Sequence, residues 1–339
     1  MFHTLSIALT ALLSVLSIML AAIFLRRTGR ISADVDAGLL KLTVDVLIPC
    51  LIIDKVLKTN AFSNAQNLYL PPLLGFSLTC VAVLIGLAVA AFVPARQTGL
   101  ATRKQKRTFA ACVGLLNYGY VPIPLIAALF PNDDRTMGVL FLQYLGAEIS
   151  VWTVVLIVLT GKFGTKAFWN ILNAPILSIL IAVPLNLLGH SPLIPAAVFD
   201  SILPFFQFLS DAVHAVGLGA IPISLLMVGL TISELVNGKA IQQRRRTAMK
   251  TAFWSVLVRL AVMPSIFMIL AVTLPVTIEI KRVLVIHGSM GSAIFPIVLS
   301  RYYNGNPETA FDTVMSNTLV SLLTLPLWIA FGLYLIGNS

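Results

Sequence analysis

Residues 107–130 read RTFAACVGLLNYGYVPIPLIAALF, an apolar stretch with glycine and proline close to its centre. A helix needs about 20 residues to cross roughly 30 Å of hydrocarbon, and this stretch is long enough. Proline removes a main-chain hydrogen bond and glycine costs about 1 kcal/mol relative to alanine, so helix interiors resist both. Asn117, Gly119, Pro122 and Pro124 therefore predict a membrane helix that is interrupted at mid-depth.

A second stretch in the C-terminal half has the same character. Residues 281–303 read KRVLVIHGSMGSAIFPIVLSRYY, and Gly288, Gly291 and Pro296 lie near the centre. The same physical reasons predict a second interrupted helix there.

Matched proline positions predict an internal repeat. Pro49 and Pro222 are 173 residues apart, and Pro124 and Pro296 are 172 apart. Each half would contain five helices, an odd number, so the second half would enter the membrane from the opposite side. Paired interrupted helices in such an inverted repeat indicate a transporter binding site. The alternative is that proline and glycine are simply more frequent in membrane helices. The predicted repeats are residues 1–160 and 161–339.

The composition supports a polytopic membrane protein. Of 339 residues, 58% are hydrophobic and only 11% are charged, and the mean hydropathy is +0.95. A soluble domain carries about 25% charged residues, so a soluble or disordered protein is excluded. The first apolar run is too long for a signal peptide and predicts a retained helix. The ten predicted spans, numbered 1 to 10, are 5–25, 37–57, 69–93, 108–130, 136–160, 169–188, 204–232, 250–273, 281–300 and 309–336.

The basic residues predict the orientation of these spans. The formal net charge is +10, and the basic residues cluster in loops that alternate between many and few of them. Cytoplasmic loops carry an excess of Lys and Arg, so both termini are predicted to lie outside, in a bacterial inner membrane. This pattern gives no reason to infer a nucleic-acid partner. The basic-rich side has Arg26, Arg27, Arg30, Arg96, Arg103, Lys104, Lys106, Arg107, Lys162, Lys166, Lys239, Arg244, Arg245, Arg246, Lys250 and Arg301; the other side has Lys55, Lys58, Arg135, Lys281 and Arg282.

Four segments carry a resemblance to a known family. They are IPCLIIDKVL (48–57), NYGYVPIPLI (117–126), FPIVLSRYYNGNP (295–307) and SNTLVSLLTLPL (316–327). In this order and spacing, the chain resembles the auxin efflux carrier family, which includes PIN-type auxin carriers and bacterial malate or malonate permeases.

The resemblance implies a fold shared with bile-acid and sodium/proton carriers. Spans 4 and 9 would be broken and would cross near mid-membrane. Spans 1, 2, 6 and 7 would form a scaffold, spans 3 to 5 and 8 to 10 a mobile transport domain, and substrate would bind between them. A homodimer is also implied. The sequence departs from the family at Pro122, where glycine is usual, and at Gly291, where proline is frequent.

The predicted chemistry of the crossing is carboxylate binding. The start of a broken helix exposes N–H groups and the positive end of a dipole, and both attract an anion. We expect Asn117 to contact substrate through its amide; the alternative is that it satisfies carbonyls freed by the prolines. The predicted substrate-binding residues are Asn117, Gly119, Pro122, Pro124, Gln143, Ser289, Gly291, Ser292 and Pro296.

Three charged residues are expected at similar depth in the membrane. Asp45, Glu148 and Arg259 would mark either function or an ion pair, because isolated charges in lipid are costly. For Glu148 and Arg259 we favour an ion pair that fixes the arginine. Asp45 is a candidate for proton coupling, and the alternative is that it faces a water-filled vestibule. Helix-to-helix hydrogen bonds are predicted for Asp211, His214, His287 and Asp312.

The leading function is secondary transport of a small organic anion, such as malate, malonate or an auxin-like acid, by an elevator-type movement. No ATP-binding motif occurs, so a gradient of protons or sodium would supply energy. Neither the His and acidic residues nor the three cysteines have metal-site spacing, and no cofactor is predicted.

Other functions remain open from the sequence. One is a coupled carrier of a bile-acid-like or neutral solute. A remote one is an intramembrane hydrolase, because GSMGS (288–292) with His214 or His287 superficially resembles a serine and histidine pair. A membrane sensor would be expected to carry a soluble domain.

Overall fold

The computed structural model describes residues 2–32, 34–131, 133–161, 172–189, 208–237 and 245–337. Within these ranges the regular secondary structure is helical and no β-strand is present, which confirms the all-helical prediction. Lys162, Lys166, Lys239 and Arg244, which contribute to the predicted charge asymmetry, lie outside the described residues.

The helices follow the apolar stretches of the sequence closely. They are α1 (Phe2–Arg27), α2 (34–58), α3 (Gln66–Phe92), α4a (Arg103–Gly114), α4b (Pro122–Leu129), α5 (Asp134–Thr160), α6 (Ala174–Gly189), α7 (208–237), α8 (245–273), α9a (Ile278–Ser289), α9b (Phe295–Tyr302) and α10 (Pro307–Gly337). Short turns of helix also form at Ala61–Ser63 and Ala95–Thr98.

Among the described residues, five helices are long and apolar enough to cross a membrane: α3, α5, α7, α8 and α10. α6 is apolar but shorter. These helices identify a multi-pass membrane protein. The count of ten spans and the inverted repeat stay predictions.

Within the part of the chain that the structure describes, three helices contain a π-helical turn, in which the main-chain bonds widen locally. Such turns occur frequently at functional sites. The turn in α2 contains Asp45, the turn in α5 contains Trp152, and the turn in α8 contains Arg259. The turns are Thr43–Leu47, Val151–Val155 and Val258–Val262.

The helices pack in two sets. α1 packs along α7 and α2 along α6, whereas α3 packs against α4a and α5, and α8 against α9a and α10. Close approach of α3 and α5 depends on Gly146, because a Cβ at this position would lie 1.8 Å from the carbonyl oxygen of Pro72. The two sets meet where α1 contacts α10 and α4b, and where α2 contacts α5.

Polar contacts hold α2 to its neighbours at its C-terminal end. The carboxylate of Asp54 is buried and binds Lys58 at 2.5 Å and Nδ1 of His214 in α7 at 2.9 Å. The predicted helix-to-helix contact of His214 is therefore present. Lys55 extends the contact to Asp134 of α5 at 2.9 Å.

Candidate functional site

Both predicted helix interruptions are present. α4a ends at Gly114 and α4b begins at Pro122, while α9a ends at Ser289 and α9b begins at Phe295. We call the intervening residues, 115–121 and 290–294, the crossing segments. The two interruptions therefore lie in the fourth and ninth apolar stretches, where the glycine and proline residues predicted them.

The two crossing segments pair with each other. The N–H of Asn117 donates to the carbonyl of Gly291 at 3.0 Å, and the N–H of Ala293 donates to the carbonyl of Leu115 at 2.9 Å. This is a short antiparallel bridge. Each segment thus supplies hydrogen bonds that the other lost when its helix unwound, as non-helical backbone at membrane depth requires.

The first turn of α4b differs from the predicted anion cradle. Pro122 and Pro124 have no N–H, and the N–H groups of Ile123 and Leu125 donate to carbonyls one turn earlier, both at 3.1 Å. None of these four residues offers a free main-chain donor. An anion at this end of α4b must therefore be bound by side chains or by N–H groups of the crossing segments.

A cavity that is partly open to the surroundings lies beside the crossing. Its walls come from α1, α7, α10 and both crossing segments, so it lies where the two helix sets meet. Nine of its fourteen lining residues are aliphatic or methionine, and none is basic. Its polar lining side chains are Asn117, Ser292, Thr318 and Ser321.

Asn117 is the lining side chain with the most available donors. It is half-buried, faces the cavity, and its amide forms no hydrogen bond with the rest of the described chain. The alternative role, satisfying carbonyls freed by the prolines, is therefore not observed. Thr318 and Ser321 differ, because their hydroxyls already donate to carbonyls within α10 at 2.9 and 2.8 Å.

Ser292 and Gly291 complete the polar wall. The Ser292 hydroxyl accepts from the buried Asn317 amide at 2.8 Å, which leaves its own O–H available to a ligand. At Gly291 a Cβ would lie 3.1 Å from Oγ of Ser321 and 3.2 Å from the carbonyl oxygen of Asn317. Glycine therefore allows α10 to approach the crossing segment closely.

Other predicted substrate residues do not line this cavity. Pro122, Pro124 and Pro296 start the second half-helices, and Gly119 lies within the first crossing segment beside the ring of Tyr144. These residues shape the interruption.

Two further predicted residues are buried elsewhere. Ser289 donates to the carbonyl of Val285 within α9a at 2.7 Å. Gln143 is 1% exposed, and its Oε1 has no partner within the described residues. Neither contacts the cavity.

Glu148 forms the centre of a buried polar cluster behind the first crossing segment. Its carboxylate accepts from the hydroxyl of Tyr118 at 2.6 Å, from Nε1 of Trp152 at 2.9 Å and from the amide of Asn173 at 2.8 Å. These donors come from the crossing segment, from α5 itself and from the residue before α6. The Trp152 ring also packs edge-on against Phe295 of α9b at 5.9 Å.

Arg259 is completely buried behind the second crossing segment. Its Nε donates to the carbonyl of Met290 at 2.9 Å and its Nη2 to the carbonyl of His287 at 3.3 Å. These carbonyls lie at the C-terminal end of α9a, where acceptors lack helical partners and the dipole is negative. Nη1 has no partner within the described chain.

The predicted ion pair between Glu148 and Arg259 is not formed, since each side chain has the other partners given above. Asp45 is exposed on α2 and forms no ion pair or hydrogen bond within the described residues, so the three charges are not brought together.

Sequence reasoning missed the walls contributed by α1 and α10. Val15, Leu16 and Met19 of α1 line the cavity, as do Thr318 and Ser321 of α10. A signal was present for α10, because both residues lie in the motif at 316–327 and their spacing puts them on one helix face.

Comparison with known proteins agrees with this architecture. A family model described as "Membrane transport protein" matches residues 7–167 and 164–329. A protein of Methanothermobacter thermautotrophicus (strain Delta H), named "Uncharacterized transporter", is 23% identical over 317 residues, covering 93% of this chain and 95% of that protein. The family resemblance of the motifs is confirmed: the chain belongs to the membrane transport protein family, which contains the auxin efflux carriers.

Proposed function

We propose that the protein is a secondary carrier that moves a small organic anion by an elevator-type mechanism. The observation that carries this proposal is the position of the cavity. It lies between α1 and α7 on one side and the crossing segments with α10 on the other. A ligand bound there would touch both helix sets, as a substrate carried by one set past the other must do.

The proposed architecture has ten spans in two inverted repeats. α1, α2, α6 and α7 would form the scaffold, and α3 to α5 with α8 to α10 the transport domain. The packing of α1 with α7 and of α2 with α6 supports this division. The family model also matches the chain in two segments, and these overlap at 164–167, close to the proposed repeat boundary at 160. Both termini would lie outside an inner membrane, and the carrier would be a homodimer.

The lining of the cavity bears on the substrate. Asn117 and Ser292 offer neutral donors for a carboxylate, and the aliphatic wall suits an apolar body. Among the predicted acids, this arrangement favours an auxin-like monocarboxylate over malate or malonate, whose second carboxylate would meet aliphatic side chains. The aliphatic wall would also suit a bile-acid-like solute, which is the second candidate.

Nothing in the described residues supports the hydrolase alternative. His214 is held by Asp54 at 2.9 Å, and Ser289 donates within its own helix. His287 is buried, and its Nε2 has no partner within the described residues.

The proposal is tested by uptake into proteoliposomes. Labelled indole-3-acetate, malate and malonate are compared, with protein-free vesicles as the background. Asn117→Ala should reduce saturable uptake about tenfold or more, since a hydrogen bond to a charged group contributes about 1.5–3 kcal/mol. Asn64→Ala, the same change at an exposed loop position, is the matched control. Saturable uptake that is equal in wild type and Asn117→Ala would contradict the assignment of the site.

A further inference from the structure

Glu148 is a buried carboxylate that the proposed substrate site does not use. It is 5% exposed, and its three partners all donate to it. One donor, Tyr118, directly follows Asn117, so the carboxylate is one residue removed from the cavity. The cluster therefore lies where occupancy of the substrate site can be sensed.

The partners of Glu148 suit a proton rather than a metal cation. Sodium needs oxygen lone pairs around it, as hard cations do generally. Trp152 and Asn173 instead direct N–H groups at Oε1 of the carboxylate. At Oε2 the Tyr118 hydroxyl can exchange roles: when Glu148 is protonated, its O–H donates to Oη of Tyr118 with little movement of heavy atoms.

The titratable neighbours of Glu148 do not compensate its charge. They are Tyr118 and Tyr120 of the crossing segment and Tyr144 of α5. The residue before α6 is the uncharged Asn173, and α3 contains no charged residue. No cation within the described residues forms an ion pair with Glu148.

At the level of the crossing, Glu148 and Arg259 are the buried charged side chains among the described residues. His287 fits best as a neutral ring, because it is 1% exposed and a second N–H at Nε2 would have no acceptor. With Glu148 ionised, the empty transport domain is neutral at this level. Adding a singly charged substrate makes it negative, and adding a proton restores neutrality.

We propose that Glu148 is the proton-binding site of the carrier and couples one proton to one substrate carboxylate. This inference rests on the proposed function. The proton comes from water on the side to which the loaded site is open and returns to water on the other side. The loaded, protonated domain and the empty, ionised domain are both neutral, so both cross the membrane readily, whereas the two singly loaded forms carry a charge and do not.

Wild-type transport gives the first test, with indole-3-acetate as the monoanionic probe. The initial rate of uptake, after subtraction of the protein-free background, should rise about fivefold when the exterior is made acidic. A potassium diffusion potential or a sodium gradient should leave this rate nearly unchanged. Uptake that is driven by voltage and indifferent to the proton gradient would overturn the proposal.

Glu148→Gln separates the two halves of the cycle. The glutamine mimics the protonated acid, so the loaded domain remains neutral and exchange of external labelled for internal unlabelled probe should persist. The empty domain becomes positive, so net uptake should fall about tenfold. Glu279→Gln, which removes a carboxylate at the start of α9a, is the matched control and should keep both activities. Net uptake in Glu148→Gln with wild-type pH dependence would contradict the proposal.

A spectroscopic titration tests the site without any substrate. Trp152 donates directly to Glu148, so its fluorescence should report protonation. In a variant with Trp169, Trp254 and Trp328 changed to Phe, emission should follow a single-proton titration that Glu148→Gln abolishes.

Tyr118→Phe provides a second test by the same titration. Loss of one donor to the carboxylate should move the midpoint to higher pH. A titration that persists in Glu148→Gln would refute the proton site, even if no probe is transported. Absence of transport in wild type together with the expected titration would instead count against the proposed substrate class.

Discussion

The two crossing segments have similar backbones and opposite surroundings. Behind the first, the Tyr118 hydroxyl binds the carboxylate of Glu148. Behind the second, the guanidinium of Arg259 binds the carbonyls of His287 and Met290. An acid therefore supports one interruption and a base supports the other.

The difference follows from how each broken helix satisfies its freed carbonyls. Leu115, just beyond α4a, has its carbonyl satisfied by the N–H of Ala293 in the other segment. At the end of α9a the carbonyl of Met290 instead receives a side-chain donor, Nε of Arg259. Main-chain bonds therefore join both interruptions, and at the second one a charged side chain binds a further carbonyl.

Arg259→Met should have the largest effect of the substitutions that compare the segments. It removes both donors to the end of α9a and the positive charge that balances Glu148. We expect uptake to fall on the order of a hundredfold, which corresponds to about 2.7 kcal/mol. Proteoliposome uptake measures this, and size-exclusion chromatography in detergent checks that the variant is folded.

Arg259→Lys distinguishes charge from geometry. Lysine keeps the charge but lacks the planar fork that reaches two carbonyls, so uptake should be intermediate. Arg135→Met, at a half-exposed position whose guanidinium lies 3.8 Å from the carboxylate of Glu279, should change stability by less than about 1 kcal/mol. Wild-type uptake by Arg259→Met would show that the second interruption needs no cation.

Asn117→Ala and Ser292→Ala compare the polar groups that the two segments present to the cavity. Asn117 has two unused donors, whereas Ser292 has one and is held by Asn317. We expect Asn117→Ala to weaken transport about tenfold or more and Ser292→Ala about threefold, because the second loses a single neutral donor. The apparent affinity in uptake assays measures both, and a larger effect at Ser292 would reverse the proposed order.

The interruptions and the family were predictable from the sequence. Clustered glycine and proline have strong local effects on a helix, and these effects do not depend on tertiary packing. Asn117, Gly291 and Ser292 line the cavity because they lie within the predicted breaks themselves. That they bind substrate stays a prediction.

The partners of the buried charges were not predictable in the same way. Counting residues along a helix gives depth, but the direction in which a side chain points depends on packing. Glu148 and Arg259 therefore look like natural partners by depth, although each binds groups that have no charge. Val15 and Met19 were missed for a related reason. Residues that face lipid and residues that face this cavity are both apolar, so the sequence does not distinguish them.

Gly291→Ala and Gly119→Ala compare how tightly each segment is packed. A Cβ at Gly291 would press on the main chain and side chain of α10, with distances of 3.2 Å to Asn317 O and 3.1 Å to Ser321 Oγ. At Gly119 it would meet only the ring of Tyr144, at 3.3 Å, which can shift. We expect Gly291→Ala to cost about 1–2 kcal/mol and Gly119→Ala about half as much, measured by thermal denaturation in detergent. Equal losses would show that the segments are packed alike.

Ser289→Ala should have the smallest effect, and Ser292→Ala is its natural reference. The Ser289 hydroxyl donates to the carbonyl of Val285 four residues earlier in α9a, and that carbonyl belongs to the helical hydrogen-bond series. Removal of the hydroxyl therefore takes away an additional bond to a carbonyl that keeps its helical partner. No main-chain group is left unpaired, so stability should change by less than about 1 kcal/mol. Substrate affinity should be unchanged, since Ser289 does not line the cavity. If Ser289→Ala weakened uptake as much as Ser292→Ala, the binding surface would have to extend from the crossing segment into the last turn of α9a.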